Sequence, residues 1–187
     1  MTFVYYLSLG YVAATLMTSG FGHVLGVAHF RDLVRAHSII PAGLVTATAL
    51  LVMAFELVAG GSSLAVLLKA EIAARASLLF AVCAAAGVAF AFYIRRLLRR
   101  PEGVTSCGCS PLAGPLTPVS IVPAFALLLM SVLGMVAASL GYGRPLGVAY
   151  GLLGISVALP LVWGVTLALI IIMLPASMPR PAINGRW

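Results

Sequence analysis

Residues 95–111 read RRLLRRPEGVTSCGCSP and form the only long polar interruption in an otherwise apolar sequence. This segment holds four of the eleven Lys and Arg residues and two of the three cysteines. Three apolar stretches precede it and two follow it, and each is long enough for a membrane helix of about 20 residues. The segment therefore divides the chain, and its two cysteines on either side of one glycine indicate chemistry.

The composition excludes an ordinary soluble protein. Of the 187 residues, 63% are hydrophobic and 8% are charged, and the mean hydropathy is +1.16. Soluble domains carry about 25% charged residues. A soluble fold of this size leaves too much surface exposed to hide so many apolar side chains. The sequence therefore predicts an all-α, polytopic membrane helix bundle in which residues 1–187 form one integral membrane domain.

Five transmembrane helices are predicted from the apolar stretches. A polar loop with the two cysteines covers residues 95–118, and an irregular, proline-rich tail covers residues 175–187. The first stretch lacks a basic start and is too long for a signal peptide, so we expect it to be retained as a helix. The predicted spans are residues 3–27, 41–68, 72–94, 119–140 and 148–174.

The net charge of +7 does not indicate nucleic-acid binding, because no aromatic side chains are interleaved with the basic ones as a stacking platform. The basic residues lie at the ends of the apolar spans, where they set the orientation in the membrane. With the loop in the cytoplasm, three basic residues lie outside: Lys69, Arg75 and Arg144. Eight lie inside: Arg31, Arg35, Arg95, Arg96, Arg99, Arg100, Arg180 and Arg186. This difference predicts an external N-terminus and a cytoplasmic C-terminus.

Glu56 is an acidic residue inside the second predicted span. It lies about 22 Å of helix from Pro41 and about 18 Å from Leu68, and therefore near the middle of the bilayer. A charge there costs several kcal/mol unless it is neutralised or paired. Two interpretations remain open: a neutral acid that ties helices together, and a role in proton transfer or quinone contact. Gly60 and Gly61 predict a bend or break just beyond it.

The histidines and charges between the first two spans predict an amphipathic turn with its charges in the lipid headgroups. Its polar members are His29, Arg31, Asp32, Arg35 and His37. The alternative is a metal site built from His23, His29 and His37. We favour the headgroup interpretation and predict no metal.

Cys107 and Cys109 are the candidate catalytic pair. A disulfide between them would close a small, strained ring, and strained disulfides are easily reduced. The arginines nearby favour the reactive thiolate form of a cysteine. We therefore favour thiol–disulfide exchange over two inert cysteines or half of a metal site. Cys83 lies deep in the third span among alanines and is interpreted as packing rather than as a redox relay.

Three segments resemble the MauE branch of the DoxX-like membrane proteins. They are the turn over residues 30–41, the Phe55-Glu56-Leu57 sequence followed by Gly60, and Ser106-Cys107-Gly108-Cys109. Their order and spacing cover about residues 1–140. His37 stands where the family often has tyrosine. The fifth helix fits the MauE branch, which implies a four-helix DoxX-like core with one more helix at the C-terminus.

The resemblance implies a multi-pass protein of the bacterial inner membrane. Its role would be the maturation, processing or transport of the small (beta) subunit of periplasmic methylamine dehydrogenase. The implied partner is MauD, a thioredoxin-like protein, and we expect no cofactor. Two other functions stay open: a quinone-linked oxidoreductase subunit with Glu56 near the quinone, and a non-catalytic scaffold or export helper. Whether the protein is itself an enzyme also stays open.

The predicted orientation conflicts with this role in one respect. It places Cys107 and Cys109 in the cytoplasm, which keeps thiols reduced, whereas a periplasmic client would be oxidised outside. Either the pair moves reducing equivalents across the bilayer, or the orientation is the reverse.

Overall fold

The structure is a computed structural model that describes residues 1–68, 75–99, 116–141, 160 and 162–171. Nearly all of these residues are helical and none of them lies in a strand, which confirms the predicted all-α class. Short 3-10 helices, Ala42–Leu44 and Pro118–Ile121, lead into the third and fifth α-helices. The α-helices are α1 (Thr2–Leu25), α2 (Val27–Ala36), α3 (Val45–Leu68), α4 (Ala76–Leu98), α5 (Val122–Ser139) and α6 (Val162–Ile171).

Within the described residues, three helices are long and apolar enough to cross a membrane: α3 and α5 with their 3-10 turns, and α4. A fourth span is present if α1 and α2, which are bent by 96°, count as one. These helices match the first four predicted spans to within a few residues. Of the fifth predicted span, residues 148–174, the structure describes residue 160 and the short apolar helix α6, so the five-span count stays a prediction.

The bend between α1 and α2 lies at Gly26, inside the predicted first span. Beyond it, α2 is amphipathic. Phe30 and Val34 are buried, whereas Asp32 and Arg35 are exposed and form an ion pair with an Nη1–Oδ1 distance of 3.1 Å. The predicted amphipathic turn is therefore a ten-residue helix that leaves α1 at a steep angle.

The helices pack with α1 against both α3 and α5, and with α4 against α5. Their shared core includes Tyr5, Leu16 and Phe80, all at most 1% exposed. Large apolar side chains cover the outer faces, and Leu51 and Leu78 are 71% and 68% exposed. Helices that are apolar on every side are typical of membrane spans.

Glycines allow the helix backbones to approach closely. A Cβ atom at Gly60 would lie 2.9 Å from the Met17 sulfur, and one at Gly87 would lie 2.9 Å from the Leu128 nitrogen. At Gly164, a Cβ would lie 2.5 Å from the Leu7 carbonyl oxygen, which places α6 directly against α1. The predicted bend at Gly60 and Gly61 is wrong, because α3 runs unbroken from Val45 to Leu68. Gly60 serves helix contact instead.

Candidate functional site

The carboxyl group of Glu56 is buried between α3 and α1. Glu56 is 4% exposed, and its Oε1 accepts a hydrogen bond of 2.8 Å from the Ser19 hydroxyl. Oε2 has no hydrogen-bond partner in the described part of the chain. The predicted intramembrane acid is therefore inside the bundle rather than on its outer surface.

His23 completes a three-residue cluster with Ser19 and Glu56. Its Nε2 lies 3.3 Å from the Ser19 oxygen and 3.7 Å from Glu56 Oε2. Because the Ser19 hydroxyl donates its hydrogen to Glu56, its oxygen accepts from His23 when Nε2 carries the proton. The polar atoms then form one chain, from the imidazole through the hydroxyl to the carboxyl. The 3.7 Å contact is too long for a hydrogen bond but permits ion pairing.

Helix packing explains why these side chains meet. Ser19 and His23 are four residues apart, so they lie on one face of α1. Between them, Gly20 lets α3 come close, because a Cβ there would lie 3.2 Å from the Glu56 Cβ and 3.0 Å from Leu57 Cδ2. The lack of a side chain at Gly20 therefore helps to place the carboxyl within reach of both partners.

The helix α2 covers this cluster. The Phe30 ring stacks on the His23 ring at a centroid distance of 3.8 Å and an angle of 18°. His23 is 5% exposed as a result. The bend at Gly26 thus folds α2 back so that an aromatic ring closes one side of the Glu56 cluster.

The cluster can hold a single proton in two arrangements. The proton resides on the carboxyl, which makes both groups neutral, or on His23, which makes an ion pair with the carboxylate. An isolated buried charge would cost more than either arrangement. The Ser19 hydroxyl lies between the two groups and can pass a proton from one to the other. The site is therefore suited to proton exchange within the bundle.

A second polar contact joins α2 to α4. His37 is 2% exposed, and its Nδ1 lies 2.6 Å from the Tyr93 hydroxyl. The expectation that His37 lies with the charged residues of the turn is wrong, because this hydrogen bond holds it inside the protein. Tyr93 gave no signal in the sequence, since a tyrosine near a helix end is common in membrane proteins.

The described residues contain no group of three or more His, Cys, Asp or Glu side chains placed to hold a metal. His23 and His37 have separate partners, and His29 is exposed. The three histidines considered for a metal site therefore have three different surroundings.

The predicted catalytic pair, Cys107 and Cys109, lies outside the described residues, so its role stays a prediction. Cys83 is a free thiol with no exposed surface, and it packs in the same core as Tyr5 and Phe80. Its position is that of a packing residue.

Sequence reasoning identified Glu56 but not its partners. Ser19 and His23 were the available signal, because they are two polar residues at helical spacing in an apolar helix. The sequence alone does not show that this face of α1 packs against α3.

Comparison with known proteins gives one match. Residues 1–142 match the family described as methylamine utilisation protein MauE. No match was found among curated proteins or among solved structures. Because the matched residues cover most of the chain, and because the helices they form are apolar enough for a bilayer, this protein belongs to the MauE family and is a membrane protein of methylamine utilisation.

Proposed function

We propose that the protein is an accessory factor in the maturation of the small subunit of methylamine dehydrogenase. The family match over residues 1–142 is the observation that carries this proposal. In this role it is a multi-pass protein of the bacterial inner membrane and acts on a client that matures in the periplasm. The family resemblance implies that this client carries several disulfides, and such bonds form and rearrange by thiol–disulfide exchange.

The proposed chemistry is thiol–disulfide exchange at Cys107 and Cys109. The thiolate of one cysteine attacks the disulfide of a thioredoxin-like partner, which forms a mixed disulfide and releases one partner thiolate. The second cysteine then attacks the mixed disulfide. The partner leaves as a dithiol, and the pair is left as a disulfide. The reverse sequence oxidises the partner and reduces the pair.

The test is to trap the mixed disulfide. In Cys107→Ser and Cys109→Ser, one exchange step is blocked, so one of the two variants should accumulate a covalent complex with the thioredoxin-like MauD protein on a non-reducing gel. Cys83→Ala is the matched control, because Cys83 is buried in the core. It should behave as the unmodified protein. If neither loop variant forms a covalent complex that a reductant cleaves, thiol exchange with that partner is excluded. A non-catalytic scaffold role is then the better interpretation.

A quinone-linked oxidoreductase subunit is the second candidate, and the Glu56 cluster favours it. Reduction of a quinone to a quinol takes up two electrons and two protons. The Cys107 and Cys109 dithiol would supply both electrons and both protons as it becomes a disulfide, and the buried group of Glu56, His23 and Ser19 would pass protons to the quinone. The experiment is to mix the dithiol-reduced protein with a soluble quinone and follow quinol formation. Quinol formation that Glu56→Gln abolishes would support this candidate, and no quinol from the unmodified protein would exclude it.

A further inference from the structure

Four side-chain hydroxyls lie on the buried face of α1 without a fully formed hydrogen bond. Tyr5, Ser8, Tyr11 and Thr15 are 1%, 0%, 0% and 9% exposed. In the parts of the chain that the structure describes, the Tyr5 and Ser8 oxygens have no partner, and the Tyr11 and Thr15 hydroxyls have only each other. Some hydroxyls elsewhere in the bundle bond to their own helix. Ser63, for example, donates to the Ala59 carbonyl oxygen at 2.9 Å. The α1 hydroxyls do not use this option, which is open to serine and threonine in any helix.

These hydroxyls continue directly into the Glu56 cluster. The order along α1 is Tyr5, Ser8, Tyr11, Thr15, Ser19 and His23. Successive members are three or four residues apart, which keeps them within about 120° of the helix circumference. The row extends over about 27 Å, close to the thickness of about 30 Å of a bilayer's hydrocarbon core. We call these six residues the α1 polar row.

Water molecules would satisfy the unpartnered hydroxyls. A buried polar group without a partner costs about 1–3 kcal/mol, and buried waters normally bond to such groups. Successive members of the row are about 4.5–6 Å apart along the axis. One water with two hydrogen bonds of about 2.8 Å bridges up to about 5.6 Å. Ser131 of α5, the helix that packs against α1, adds another buried hydroxyl without a partner.

We propose that the α1 polar row binds a file of water molecules that carries protons between the Tyr5 end of the bundle and the Glu56 cluster. Each hydroxyl or water accepts a proton from one neighbour and passes one to the next, so Glu56 gains or loses a proton while no electron moves. The stacked Phe30 ring covers the cluster on the α2 side, and the row reaches the cluster from the other direction along α1. This proposal does not depend on thiol exchange, because it concerns water and protons only.

The water file is tested by radiolytic hydroxyl labelling of the whole protein in nanodiscs. Radicals formed from bound water modify adjacent aromatic rings, even buried ones. Tyr11 should be labelled several-fold faster than Phe80, which has no exposed surface and meets the row only through the edge of the Tyr5 ring. Equal labelling of Tyr11 and Phe80 would show that the row is dry and would overturn the proposal.

The proton route is tested by infrared spectroscopy after transfer into D₂O. In acidic buffer, the C=O stretch of the Glu56 carboxyl is identified by its loss in Glu56→Gln, and its shift reports exchange of the proton. Thr15→Val and Tyr11→Phe each remove one hydroxyl with little change in shape and should slow the exchange several-fold. Ser63→Ala removes a buried hydroxyl that already has a partner and should leave the rate unchanged. A wild-type rate in both row variants would overturn the proton route.

Discussion

Glu56 is held by two side chains that differ in what they can do. Ser19 is hydrogen-bonded to the carboxyl at 2.8 Å, as the donor when the carboxyl is ionised and as the acceptor when Oε1 carries the proton. His23, 3.7 Å from the other carboxyl oxygen, can itself take up a proton. Ser19 therefore fixes the position of the carboxyl, whereas His23 gives its proton a second place to reside.

Glu56→Gln separates these two contributions. The amide oxygen still accepts the Ser19 hydrogen bond, so we expect helix content and thermal unfolding to stay close to those of the unmodified protein. The amide cannot exchange a proton with His23, so we expect an activity that depends on this exchange, such as quinol formation, to be lost. Circular dichroism in detergent and the rate of quinol formation measure the two effects.

Glu56→Ala is the matched comparison for stability. It removes the acceptor and leaves a cavity, so we expect a destabilisation of about 1–3 kcal/mol. A glutamine variant that is destabilised as much as the alanine variant would contradict proton exchange and favour a purely structural role for Glu56.

The identity of the buried acid was predictable from the sequence, but its surroundings were not. A single carboxyl in an apolar stretch stands out in any hydropathy profile. Its hydroxyl partner, Ser19, lies 37 residues earlier in the chain. Only the close approach of α1 and α3 at Gly20 brings the two together, and no local pattern encodes that approach. His37 was placed wrongly for the same reason, because its partner Tyr93 belongs to another helix.

At the level of the helices, the apolar stretches predicted the positions of the long helices well, because a stretch of about 20 apolar residues is also the length of a membrane helix. Glycine was harder to interpret. Gly26 marks a bend of 96° between α1 and α2, whereas Gly60 and Gly61 mark no bend in α3. Gly60 lies against Met17 of α1, and this contact between two helices is not visible in the sequence of either one.

Gly60 and Gly61 offer a direct comparison of neighbouring positions. A methyl group at Gly60 would lie 2.9 Å from the Met17 sulfur and 3.1 Å from its backbone nitrogen, so Gly60→Ala should destabilise the protein by about 1–3 kcal/mol. A methyl group at Gly61 would meet nothing within 4 Å. Gly61→Ala should be neutral or stabilising by up to about 1 kcal/mol, because alanine favours helix. Unfolding in detergent measures both, and equal effects would contradict the α1–α3 contact.

At the scale of the whole molecule, basic residues from two helices lie at one end of the described bundle. The His37–Tyr93 hydrogen bond joins the end of α2 to the last turns of α4. Arg35 of α2 and Arg95 and Arg96 of α4 therefore lie at the same end of the bundle. These are three of the eight basic residues assigned to the cytoplasmic side, and the side of the membrane that this end faces stays a prediction.

A reporter fused after Trp187 tests that orientation. With five spans, an external N-terminus and a cytoplasmic C-terminus, a reporter that needs the cytoplasm should be active and a reporter that needs the periplasm should be inactive. A fusion after Gly141, between the fourth and fifth predicted spans, is the control and should show the opposite activities. Periplasmic activity after Trp187 would contradict the orientation or the number of spans.

The most direct test of the account as a whole is the amount of mature methylamine dehydrogenase small subunit in cells that carry Cys107→Ser together with Cys109→Ser. We predict a several-fold loss of the mature subunit while the membrane protein itself accumulates normally, because the role proposed for the two cysteines is disulfide exchange with the partner. Cys83→Ala, which changes a buried packing residue, should leave the mature subunit at its normal level. A normal level of mature subunit in the double variant would contradict the account.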